Sequence, residues 1–144
     1  MFHQQIQPHF IFNSLSVIKY QSRKSPDEAI ATIDEFADYL RACSDMMASV
    51  DCVPVERELD LVNHYIYLQK KRFGEHIDYQ SSYEDTDFEI PPFTLQTLVE
   101  NAFTHGLRGR VSGNEYISVK TFKSQSLHVI EIEDNGAGFD TRIL

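Results

Sequence analysis

Two apolar stripes joined by a short polar link constrain this chain more than any other feature. After Pro26, Ile30, Ile33, Ala37, Leu40 and Met47 recur at spacings of three and four, with Ser44 filling the one missing step. That heptad-like seam predicts a helix ending near Ala48. Upstream, Phe2, Ile6, Phe10 and Val17 form one stripe, with Ile11, Leu15 and Ile18 beside it, which predicts a helix over residues 2–21 with Pro8 near its start. Residues 22–25 make the link. Ser25-Pro26-Asp27-Glu28 marks the start of the second helix: an N-cap serine, a proline in the first turn, and acids at the positive end of the dipole. Two helices so joined form a hairpin, and a lone hairpin cannot bury both faces. Pairing with a second copy into a four-helix bundle is the expected solution. Docking on the remaining chain is the alternative.

Residues 50–55, with Pro54, read as a connector or short edge strand. From Glu56 onward Leu59, Val62, Ile66, Gln69 and Phe73 share a helix face, widened by Leu61, Tyr65 and Leu68, and Gly74 stops it. A strand over residues 77–83 and an acidic turn over 85–89 follow. Ile90-Pro91-Pro92 then resets the backbone before a fourth helix over residues 93–105. Residues 116–120 and 127–133 alternate at period two around a hairpin turn at 123–126. The fold class is α+β, with the helical hairpin over residues 1–49 and an α/β part over 50–144.

A net charge of -9 argues against DNA or anionic lipid as a partner, since both need a basic face. No apolar run approaches the ~20 residues of a membrane helix, and no signal peptide opens the chain, so any membrane parts are expected outside this sequence. Cys43 and Cys52 have no metal-type spacing with histidine and read as reduced thiols of a cytoplasmic protein.

Three places carry possible chemistry. His9 is either a partly buried structural histidine or a nucleophile whose neutral ring nitrogen attacks phosphorus. Glu100-Asn101-Ala102 lies on the fourth helix with His105 one turn further on, and an Asn amide oxygen is a hard, neutral ligand suited to Mg²⁺. Asp134-Asn135-Gly136-Ala137-Gly138 offers a carboxylate for an adenine amino group and glycines that allow close backbone approach. Each alone also reads as an ordinary cap or turn.

Their order resolves the ambiguity. Gln7-Pro8-His9-Phe10-Ile11-Phe12-Asn13, Arg72-Phe73, the run from Leu95 to Ala102 with His105-Gly106, and Asp134 to Gly138 resemble the LytS-type sensor histidine kinases over nearly the whole chain. The resemblance implies that residues 1–49 are a dimerisation and phosphotransfer hairpin with His9 as phosphoacceptor. Residues 50–144 would be the N-terminal part of a GHKL-type ATP-binding α/β sandwich with an antiparallel or mixed sheet. In it Asn101 would hold Mg²⁺, Asp134 would read adenine, and Gly136 and Gly138 would line its pocket. Asn13 would orient water during dephosphorylation of the partner. That partner is a response regulator whose aspartate accepts the phosphoryl group, as in a two-component system. The chain would act as a homodimer, as the cytoplasmic part of a membrane-bound receptor.

Three departures qualify the resemblance. Phe10 follows the histidine where commoner histidine kinases have an orienting acid. Thr104 stands where a phosphate-contacting lysine is frequent, leaving His105 and Arg108 as substitutes. The second glycine box and the ATP lid are absent up to Leu144, so residues 1–144 by themselves are expected to be inactive. A noncatalytic dimerisation and regulator-docking module is the alternative reading.

Overall fold

The computed structural model describes residues 6–107 and 115–135, with the backbone alone over 105–107. Helix α1 spans Pro8–Lys24. Its proline occupies the first turn, where a missing N–H costs no bond, so the helix starts there and is not bent by it. The Gln7 carbonyl accepts the N–H groups of Phe10 and Ile11 at 3.0 and 3.3 Å. Running on to Lys24, α1 reduces the link to Ser25 alone. That residue closes one helix and opens the next. Its N–H bonds the Gln21 carbonyl at 2.7 Å, and its own carbonyl accepts from Ala29 at 3.1 Å. The side chain makes no capping bond, unlike the serine cap expected.

Helix α2, Pro26–Met47, docks within the chain through a stripe other than the seam. Ala29, Thr32, Phe36, Tyr39, Cys43 and Met46 are buried, whereas Ile30, Ile33 and Met47 remain 58%, 48% and 52% exposed. On α1 the buried positions are Phe10, Ser14 and Gln21, while Phe12, Leu15 and Tyr20 are open.

Strand β1, Val53–Pro54, leads directly into α3, Val55–Phe73. Leu59, Leu61, Val62, Tyr65, Ile66, Leu68 and Gln69 are buried as the periodicity predicts. Phe73 is not: it is 41% exposed, because the helix has by then passed the edge of the core. Gly74 ends α3 at φ 127, where a Cβ would lie 2.5 Å from the His76 ring.

The sheet is mixed, as expected. Strand β2 (Asp78–Tyr83) runs parallel to β4 (Tyr116–Ser124), which pairs antiparallel with β5 (Leu127–Asp134). Strand β4 extends to Ser124, so the turn narrows to Gln125 and Ser126, with Gln125 at φ 58. Ile117, Val119 and Thr121 are fully buried on the inner face, opposite Asp134, Ile132 and Ile130. Among the described residues β5 pairs only with β4 and forms an edge. A second small ladder joins β1 to β3, Glu89–Ile90. Helix α4 spans Thr94–Asn101 and widens into a π-helical turn at Ala102–Leu107. Among the described residues no helix is long and apolar enough to cross a membrane.

Candidate functional site

The β1–β3 ladder sets Val53 against Ile90 and Pro54 against Glu89, so the chain entering α4 passes over the first turn of α3. Glu58 waits there, with 0% exposure. One carboxylate oxygen accepts the Phe93 N–H at 2.7 Å, and the other accepts Leu95 at 2.7 Å and Gln96 at 3.4 Å. Phe93 takes a left-handed conformation (φ 68) and no residue of α4 caps its own start. The cap is therefore supplied by another helix. Burial raises the Glu58 pKa, and the three N–H bonds oppose that rise by favouring the charged form. An acid between Val55 and Leu59 on a core face, ahead of a helix with no cap of its own, was the available sequence signal for this residue.

Asn101 ends α4 and is exposed. Its neighbour Glu100 is turned toward Gln96, whose amide donates to it at 2.9 Å, and burial raises the Glu100 pKa. The same amide reaches the Tyr39 hydroxyl at 3.4 Å and so ties α2 to α4. Strand β5 packs against the π-helical turn, so the strand that ends at Asp134 touches the segment just after Asn101. Register puts Asp134 opposite Ile117, on the helix-covered face of the sheet. Asn135 pins this corner, its side-chain oxygen accepting the Tyr116 N–H at 2.8 Å.

His9 is exposed in the first turn of α1. It lines a cleft with Arg72 of α3 and Thr104 of the π-helical turn, over a floor of Phe10, Tyr65 and Phe103. Phe10 stacks on Tyr65 at 5.1 Å and meets Tyr39 at 5.2 Å, while Tyr65 takes Phe103 edge-on at 5.7 Å. An aromatic residue after the histidine thus fastens α1 to the helices behind it, a job no carboxylate could do in this apolar setting. Asn13 lies outside that cleft, in a neighbouring groove with Lys70, Lys71 and Arg72.

Of the residues singled out by sequence, His9 and the segment just after Asn101 are brought to one cleft, and Asp134 to the strand touching that segment. The His105 side chain, Arg108, Gly136 and Gly138 lie outside the described residues. Among the described residues no three His, Cys, Asp or Glu side chains converge as a metal site. An exposed neutral amide at Asn101, with Glu100 directed inward, suits a Mg²⁺ whose other ligands are phosphates and water.

The histidine kinase family profile matches residues 1–77, more than half of the chain. With that match, this chain belongs to the histidine kinase family. It is 33% identical to the sensor protein LytS of Oceanobacillus iheyensis over 142 residues, covering 97% of this chain and 24% of that protein. The sensor histidine kinase YesM of Bacillus subtilis matches to the same extent, 33% over 142 residues and 24% of its length. The uncharacterised Bacillus subtilis protein YwpD is 33% identical over 135 residues, 93% of this chain and 49% of its own. The chain therefore spans about a quarter of the named sensor kinases and about half of YwpD.

Proposed function

We propose that this chain is the phosphoacceptor and nucleotide-floor portion of an ATP-dependent sensor kinase of a two-component system. Residues 1–49 form its dimerisation and phosphotransfer hairpin, and residues 50–144 begin its nucleotide-binding domain. The observation that carries the reading is the cleft shared by His9 and Thr104, three residues beyond Asn101. Two segments far apart in sequence, one with a nucleophile and one with a metal-type amide, meet at one surface.

In this reading Asn101 holds Mg²⁺, Asp134 reads the adenine, and Gly136 and Gly138 allow the base to lie close. Bound Mg²⁺ supplies charge neutralisation to the phosphates. His9 is exposed and carried by a helix whose next residue is packed into the aromatic cluster, so its backbone position is fixed at the cleft. The phosphoryl group then passes to an aspartate of a response regulator, with Asn13 positioned one turn along α1 to orient water in the reverse, dephosphorylating direction. The open seam of Ile30, Ile33 and Met47 supports a homodimer.

In the full-length natural protein, His9→Gln removes acid-labile phosphorylation and leaves Mg·ADP affinity within about twofold, as expected of a group that reacts but does not bind the base. Radiolabelled ATP and calorimetry measure the two. Undiminished acid-labile label in that variant would sink the assignment.

A further inference from the structure

Thr104 leaves the cleft without a lysine at the place where a cation would face the phosphates. We propose that Arg72 supplies this charge, contacting the phosphoryl group as it arrives at His9; the inference rests on His9 being the acceptor.

Arg72 is the only lysine or arginine among the described residues lining the cleft, which it shares with His9 and Thr104. It also lines the neighbouring groove that holds Asn13. Arg72 is thus common to the surface that carries the acceptor and the one that carries the residue one turn along α1. The other bases in the last turn of α3 are placed differently. Lys70 and Lys71 line the groove and are not among the residues that line the cleft. The Arg72 guanidinium carbon sits 4.4 Å over the Phe73 ring, which braces the fork at the cleft edge. This gives Phe73 a use for the exposure that its helix phase did not predict.

The chemistry demands such a group. An unprotonated His9 nitrogen attacks the γ-phosphorus and forms an N–P bond. The bond to the β–γ bridging oxygen breaks, and ADP leaves with that electron pair. The ring then sheds its other N–H proton to water. Throughout, negative charge is spread over three equatorial oxygens. A planar fork of N–H donors matches two of them at once, which a threonine hydroxyl cannot do. In a chain of net charge -9 the local field at this cleft has to come from a specific cation.

The test uses the full-length protein with Arg72→Ala, Arg72→Gln and the pair Arg72→Ala with Thr104→Lys. Both single variants are expected to lose about 10²-fold in the maximal rate of acid-labile His9 labelling at saturating Mg·ATP. Mg·ADP affinity by calorimetry should stay within about threefold, because the charge is needed at the transferring group. Thr104→Lys should recover at least about tenfold in the alanine background, since it brings a cation to the same cleft. Arg72→Gln keeps a polar, unbranched stem without the charge and decides the matter if the alanine variant unfolds. A wild-type labelling rate in the single variants overturns the inference, and so does a fall in ADP affinity that matches the fall in rate. Label persisting in His9→Gln overturns the parent reading instead, so the two failures are separable.

Discussion

Helix α2 carries two stripes, and comparing them explains most of how this molecule is put together. The inward stripe is Ala29, Thr32, Phe36, Tyr39, Cys43 and Met46. The outward one is each of those positions plus one: Ile30, Ile33, Ala37, Leu40, Ser44 and Met47. A step of one residue rotates a helix by ~100°, so the two faces are neighbours with the same rhythm. The outward stripe is the more aliphatic, yet Ile30, Ile33 and Met47 are left open on it and Ala37 and Leu40 are only half-buried. The inward stripe is partly polar: the Tyr39 hydroxyl meets Gln96 and its ring meets Phe10 and Tyr65, while the Thr32 hydroxyl is buried without a hydrogen-bond partner. Contacts made within the chain use shaped aromatic residues, and Tyr39 finds a partner for its polar atom. Plain hydrocarbon is kept for a second surface.

The largest expected effect falls on the outward face. In the proposed dimer, Ile30→Glu with Ile33→Glu should cost roughly 3–6 kcal/mol of association, from two buried isoleucines at about 1.5–3 each. Sedimentation velocity would show a monomer, while the urea midpoint of that monomer moves little, by about 0.5 kcal/mol or less per exposed site. A wild-type protein that sediments as a monomer would erase the distinction between the faces. On the inward face, Tyr39→Ala should lower unfolding stability by about 3–5 kcal/mol, as large aromatic truncations in cores do. Chemical denaturation measures this, and a loss below about 1 kcal/mol would mean that the face is not a packed core.

The smallest effect is one of pH. Burial pushes the Tyr39 and Tyr65 phenols well above the usual range and the Cys43 thiol up to about 11. The folded chain therefore keeps protons that the unfolded chain gives up. The stability these groups contribute is complete below the ordinary thiol and phenol range and is lost as pH climbs through it. Tyr39→Phe should flatten the fall in urea midpoint between pH 8 and pH 10.5, whereas Ile33→Ala, on the face with no titrating group, should leave that slope unchanged. Equal slopes in the wild type and Tyr39→Phe would contradict the burial of the phenol.

Periodicity was a good guide wherever one face of an element meets one core. Leu59 to Gln69 on α3, the stop at Gly74, and the alternation of Ile117, Val119 and Thr121 against Ile130 and Ile132 all read directly from sequence. It missed the inward stripe of α2 because hydropathy ranks isoleucine above tyrosine and threonine, and takes no account of a hydroxyl that finds a partner in another helix. Phe73 misled for a related reason: the stripe continued past the end of the core. Of the candidate site, His9, Asn101 and Asp134 were singled out from motif order, but the approach of His9 to Thr104 was not foreseen. It depends on the aromatic cluster and on the widened turn at Ala102–Leu107, and neither leaves a local signal. Glu58 was overlooked because its partners lie on another helix and capping rules look only at adjacent residues; the acid on a core face was the signal that remained.

Glu58 has a consequence for how the molecule opens. The Phe93 and Leu95 amides are bonded to a side chain of α3, not to a residue of their own turn. Fraying of α4 from its start would not release them to solvent deuterium. Their isotope exchange waits for α3 and α4 to part, so the first turn of α4 belongs to the same cooperative unfolding unit as the helix beneath it. Helix α4 then divides in time as well as in shape, with a slow-exchanging beginning seated on α3 and an exposed end at Asn101 that lacks this tie.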